Sequence, residues 1–175
     1  FNEPFKKLFN QGMICKKSPK TGKLEKMSKS KGNVVDPSEI VAKFGCDSVR
    51  LYELFIGPPE LDSEWSESGI EGIYRFCHKM MRFILSVENN QENYEETDLK
   101  VLRKIHQLID KVSVKLEEFR FNTIISSFME AMNFLGNPDN YSGKVPKKLV
   151  KDIVILFSPF APHLAEEFWE ILGNS

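Results

Sequence analysis

From Ile73 to Leu172 the apolar residues return every third or fourth position, and only short polar or Pro/Gly stretches interrupt them. That spacing lines them up along one stripe of a helix and does not suit a strand, whose faces alternate every second residue. Ile73, Phe76, Cys77, Met80, Met81 and Ile84 make one stripe, opened by a Ser66 cap. Leu99, Leu102, Ile105, Ile109, Val112, Leu116 and Phe119 make a second, starting at Thr97 or Asp98. Phe121-Asn122-Thr123 breaks it, and Asn122 is placed to cap a third stripe of Ile124, Ile125, Phe128, Met129, Met132 and Leu135. Lys147–Phe157 and His163–Leu172 supply two more helices around the proline-bounded turn Ser158-Pro159-Phe160-Ala161-Pro162. Helices joined by short polar links predict a helical bundle, and residues after Ser66 are expected to be almost wholly helical.

The first third reads differently. Pro4 in a first turn, the stripe Phe5, Leu8 and Phe9, and a stop at Gly12 predict a short helix beginning at Asn2-Glu3. Met13-Ile14-Cys15, the turn Ser18-Pro19-Lys20-Thr21-Gly22 and Leu24 predict a hairpin, with any sheet confined to the region before Ser30. Asp36, Pro37 and Glu39 form a capping box for a helix carrying Ile40, Val41 and Phe44. Gly45 stops that helix, Asp47 is the expected cap of the next, and Gly57-Pro58-Pro59 ends it. Arg50 is assigned an ion pair on the helix surface.

Between hairpin and capping box lies Lys26-Met27-Ser28-Lys29-Ser30-Lys31-Gly32-Asn33. A helix would scatter these lysines and a strand would crowd them, so a mobile polar loop is expected, with Gly32 free to take a positive φ. Seven lysines and one glutamate occupy positions 16–31. The wider charge is uneven too. Residues 1–50 hold 11 Lys/Arg against 5 Asp/Glu, residues 51–100 hold 4 against 11, and the remainder balances. One anion-facing region is implied rather than a uniformly basic surface. Ammonium groups, hydroxyls and free backbone N–H groups together suit a polyphosphate.

Three scattered cysteines give no metal or disulfide spacing, so metal ligands are assigned to none, and the longest aliphatic run is too short to cross a bilayer. A cytoplasmic, membrane-free setting is expected. His78, His106 and His163 sit in helical patterns without a nucleophile motif and receive no role.

The string Lys26-Met27-Ser28-Lys29-Ser30 is similar to the KMSKS signature of class I aminoacyl-tRNA synthetases. It runs on through Lys31-Gly32-Asn33-Val34-Val35-Asp36-Pro37, as in the subgroup charging leucine, isoleucine and valine. Gly45-Cys46-Asp47-Ser48-Val49-Arg50 resembles that subgroup's Gly-Ala-Asp-x-x-Arg, with Cys46 in place of alanine. Glu64-Trp65-Ser66-Glu67-Ser68-Gly69 looks most like leucyl enzymes, and the Phe-Asn-Thr and Pro-Phe-Ala-Pro-His-Leu-Ala-Glu-Glu strings resemble the anticodon-binding bundle of the same synthetases.

The resemblance implies a mainly α fold. Residues 1–62 would form the end of a catalytic region, a small α/β stem-contact region with the hairpin and KMSKS loop, and 63–175 the anticodon-binding-type helical bundle. It implies part of a leucine–tRNA ligase, which activates leucine with ATP and transfers it to tRNA. Lys29, then Lys26, would meet the phosphates, while Ser28, Ser30 and Gly32 shape the ATP-binding loop. Mg2+ would accompany ATP, with no cofactor bound permanently, and the enzyme would work as a monomer. Isoleucyl, valyl or methionyl specificity, or a non-catalytic helical RNA- or protein-binding module, are the alternatives. The chain opens without Met and lacks a His-x-Gly-His string and a nucleotide-binding sheet, so it reads as an excerpt that alone catalyses nothing.

Overall fold

In the computed structural model, residues 4–93, 95 and 97–174 are described. Three short strands and seven α-helices are formed among them. β1 (Ile14–Lys17) and β2 (Leu24–Lys26) make the expected antiparallel hairpin, with Cys15 opposite Lys26 and Lys17 opposite Leu24. The loop follows, then α1 (Pro37–Phe44) and α2 (Cys46–Phe55). The chain next returns to the sheet as β3 (Ser63–Glu64), parallel to β1 with Ile14 opposite Ser63. Five helices complete it: α3 (Glu67–Val87), α4 (Leu99–Glu117), α5 (Phe121–Leu135), α6 (Lys147–Phe157) and α7 (Pro162–Ile171).

The caps explain most boundaries. Asp36 accepts from the Ser38 N–H at 2.8 Å, Ser66 Oγ from Gly69 at 3.4 Å, and Asp98 from Lys100 at 2.7 Å. Asp98 also accepts from the backbone N–H and hydroxyl of Ser142, tying the start of α4 to the loop before α6. α4 and α5 lie antiparallel, Lys111 reaching Glu130 and Lys115 reaching Ser127.

The predicted stripes form one core. Phe157, fully buried, is its hub, with Phe76, Phe128 and Phe168 rings around it at 5.2–6.4 Å. Each such side chain removed from water contributes about 2–3 kcal/mol. Phe44, Val49, Leu51 and Tyr52 belong to that same core, so α1 and α2 are built onto the bundle and do not stand apart from it. Tyr52 fixes the start of α3: its hydroxyl accepts from the Ser66 N–H at 2.8 Å, and its ring lies edge-on to Trp65. Burial pushes the Tyr52 hydroxyl's pKa up, so it stays neutral. Burial likewise raises the Cys77 thiol to about 11 and leaves it an inert core group.

The structure corrects five expectations. Asn2 and Glu3 lie outside the described residues, but residues 4–12 form no helix. So short a helix cannot hold itself in water, and the segment finds tertiary partners instead. Phe9 stacks on Phe119 at 5.1 Å and the Gly12 N–H donates to the Pro59 carbonyl at 2.8 Å. Sheet is not confined to the region before Ser30. Ser63 and Trp65 donate to Met13 and Cys15 and occupy the open edge of β1, and two residues are too few to show a period. Asn122 does not cap α5, which starts one residue earlier. The break is made by Phe119 at φ 58°, held by stacking on Phe9 and by Phe121 edge-on at 5.4 Å. Arg50 makes no ion pair among the described residues, and its guanidinium donates to the Pro159 carbonyl at 3.2 Å.

The fifth concerns Asp47. It does not cap α2, which begins from Gly45 at φ 82° without a side-chain cap. Its carboxylate is 5% exposed and crosses to α7, accepting from the Leu164 N–H at 2.6 Å and meeting His163 Nδ1 at 2.8 Å. Asp47 is therefore the cap of α7, and His163 gains a structural partner.

Candidate functional site

The lysine loop closes the hairpin. Lys26 ends β2, and within the expected polar loop Lys29–Lys31 form one turn of 3-10 helix. Gly32, at φ 67°, ends the turn and donates to the Lys29 carbonyl. A Cβ there would meet only Pro19 Cγ at 3.7 Å, so the left-handed backbone and not crowding calls for glycine.

Polar contacts hold the loop where apolar ones are lacking. Asn33 is 2% exposed and lies beneath the loop. Its Oδ1 accepts from the Ser28 N–H at 2.8 Å. Its Nδ2 donates to the Lys16 carbonyl at 2.9 Å and also faces the Glu25 and Lys26 carbonyls at 3.2 and 3.4 Å. Ser18, also buried, tightens the opposite turn and points its hydroxyl at the Lys31 carbonyl. The Ser28 and Ser30 hydroxyls are hydrogen-bonded to each other at 2.9 Å.

These contacts sort the lysines. Lys31 pairs with Glu25, and Lys20 donates to the Ser30 carbonyl at 2.8 Å. Lys31 first, and then the Thr21 hydroxyl, hold the Glu25 carboxyl below its usual pKa. Lys26 and Lys29 are exposed, and neither ammonium has a hydrogen bond or ion pair among the described residues. All five residues singled out from the sequence (Lys26, Ser28, Lys29, Ser30 and Gly32) thus sit within one fastened turn. Two of them present uncommitted, compact positive charges, which meet phosphate oxygens with little directional demand. Asn33 was legible as part of a Gly-Asn pair, but its task as anchor was not. Among the described residues no group of three or more His, Cys, Asp or Glu could hold a metal ion.

Residues 1–66 match tRNA synthetases class I (I, L, M and V), and residues 98–175 match the anticodon-binding domain of tRNA ligase. The chain belongs to the class I tRNA synthetases. The leucine–tRNA ligases of Thermotoga petrophila and Pseudothermotoga lettingae are 43% and 44% identical to it, over 99% and 100% of its length. It spans about 22% of the length of these curated relatives. The LeuRS–tRNA–LeuAMS ternary complex from Agrobacterium radiobacter K84 has the same fold over the whole chain, with a TM-score of 0.85 at 32% identity, and 24% of that protein is matched. Methionyl-tRNA synthetase of Mycobacterium tuberculosis, in complex with methionyl-adenylate, shares the fold alone: TM-score 0.65, 17% identity, over 85% of this chain and 36% of that one. The leucyl resemblance seen around Glu64-Trp65 in the sequence agrees with relatives that are leucine–tRNA ligases along the entire chain. Within this synthetase segment, Trp65 links the sheet to α2 through its contact with Tyr52, and so helps seat the loop on the bundle.

Proposed function

We propose that this chain serves a leucine–tRNA ligase in two ways. Residues 1–62 present the KMSKS loop to ATP during formation of leucyl-adenylate, and residues 63–175 form the helical bundle that contacts tRNA. The observation that carries the reading is the pair of exposed, unpaired ammonium groups on Lys26 and Lys29, held at a turn whose third lysine, Lys31, is paired with Glu25 and whose Ser30 carbonyl is bound by Lys20. As leucine's carboxylate attacks the α-phosphate, negative charge grows on the departing pyrophosphate. Lys29 meets that charge, and Lys26 assists. A contact that strengthens as charge develops lowers the barrier and not merely the binding energy. Ser28, Ser30 and Gly32 shape the turn. Mg2+ accompanies the nucleotide. The protein works in the cytoplasm as a monomer.

The test is leucine-dependent pyrophosphate exchange by the ligase carrying these residues. Lys29→Ala is expected to slow it by roughly 10²–10³, or about 3–4 kcal/mol. Lys29→Arg is also impaired, because a planar fork does not replace a point charge. Met27→Leu changes little, and tRNA affinity is nearly unaffected in all three. An unchanged exchange rate for Lys29→Ala overturns the proposal. Lost tRNA binding with normal exchange moves the loop's task to RNA contact.

A further inference from the structure

We propose that Asn33 is a positioning residue for amino-acid activation: its side-chain amide ties the hairpin to the start of the turn and so sets where the Lys29 ammonium group stands. The inference rests on the reading that this loop serves activation. Its basis is the geometry of one amide. The Oδ1 faces a backbone N–H and the Nδ2 faces three backbone carbonyls, so only one orientation of the amide fits. Those partners lie on three different pieces of backbone. Lys16 is on β1, Glu25 and Lys26 on β2, and Ser28 heads the 3-10 turn. One side chain thus ties both strands of the hairpin to the start of the turn that carries Lys29.

No other side chain does this in the same space. Aspartate has the shape but would turn an oxygen toward three carbonyl oxygens. Glutamine is one methylene too long for a site this buried. Alanine leaves the Ser28 N–H without its partner and takes a donor away from the Lys16 carbonyl. Lys26 and Lys29 make no anchoring contact and Met27 is only half buried, while Lys31, Ser18 and Lys20 hold the far end of the turn, so the tether to Asn33 limits from the near end the arc through which Lys29 can swing. Misplacing a reacting group by about 1 Å costs on the order of 10²-fold in rate. Asn33 touches no substrate in this account; it acts through Lys29.

The experiment measures pyrophosphate exchange, and separately the transfer of leucine from supplied leucyl-adenylate to tRNA, for Asn33→Ala, Asn33→Asp, Lys29→Ala and the double variant Lys29→Ala/Asn33→Ala. Asn33→Ala is expected to lower exchange kcat by on the order of 10²-fold, with transfer within about twofold of the parent. Asn33→Asp, though isosteric, is expected to be at least as impaired as Asn33→Ala. The double variant is expected to be no worse than Lys29→Ala alone, because a residue that acts only through Lys29 has nothing left to position. Full exchange activity in Asn33→Asp would reduce Asn33 to a packing group and overturn the proposal. So would equal loss of both steps, which marks a global defect in folding, or a double variant whose loss multiplies the two single losses. If Lys29→Ala itself exchanges normally, the underlying reading of the loop fails instead, and the two failures are told apart within one set of assays.

Discussion

Replacing Asp47 by alanine removes a carboxylate from α2 and the first-turn cap from α7. The decisive contact is the 2.6 Å bond from the Leu164 N–H, because that part-buried donor is left without its acceptor. An unpartnered buried donor costs about 1–3 kcal/mol, and loss of a helix cap about 0.5–2 kcal/mol. These describe the same group and are not added. The His163 contact contributes little, since that side chain is 72% exposed and water screens the pair. Removal of a buried charge gives some desolvation energy back. About 2 kcal/mol remains, and for a chain of this size each kcal/mol lowers Tm by roughly 2–4 °C. Thermal unfolding of Asp47→Ala, followed by circular dichroism at 222 nm, is expected to show a midpoint about 4–8 °C lower. Asp47→Asn keeps shape and one acceptor oxygen and is expected to lose less than half as much. A change under 1 °C in Asp47→Ala refutes the capping role. Equal losses in both variants refute the separation of cap from charge.

Two further outcomes follow from close contacts and titration. Gly12→Ala places a Cβ 2.2 Å from the Leu61 backbone carbonyl, which cannot yield, so residues 4–12 should lift from the surface while the helical signal persists. Faster proteolysis within that segment checks it, and unchanged protection counts against the contact. Asp98 is held below its ordinary pKa by the Ser142 and Lys100 N–H groups. Its stabilising effect is therefore complete above the ordinary aspartate value and is lost as pH falls through the lower folded value. Tm measured between pH 2 and 6 should fall less steeply for Asp98→Asn than for the parent, and parallel curves would contradict this.

Long periodic segments were readable because tertiary packing uses the same stripe that the spacing displays. Lys147–Phe157 is found with the bounds its pattern predicts. Ser66 and Asp98 cap the helices they precede because the donors they serve, the Gly69 and Lys100 N–H groups, lie within the next turn of chain. The misreadings share a cause, in that each depends on a partner far along the chain. Asp47 has the spacing of a local cap, yet its donor lies 117 residues on. Asn122 precedes a helical stripe, but a stacked phenylalanine already turns the chain before it. β3 is only the edge that β1 leaves open. For the site, composition and resemblance located every residue of the turn. What they omitted was the division of labour among like charges, because which lysine is free depends on where Glu25 and the Ser30 carbonyl come to lie.

The parallel pairing of β1 with β3 makes the path from Ile14 to Ser63 end beside its start. Hairpin, loop, α1 and α2 are all strung along that excursion. A segment whose two ends are stitched together can change length at its rim without moving either neighbour in the chain, because lengthening a surface loop costs only a logarithm of its size. The turn at Ser18–Gly22 is such a rim. Descendants of this sequence have room beyond Lys20 to add residues while the lysines keep their places, since Asn33 grips the strands below the turn and Ser18 and Lys20 still reach the Lys31 and Ser30 carbonyls.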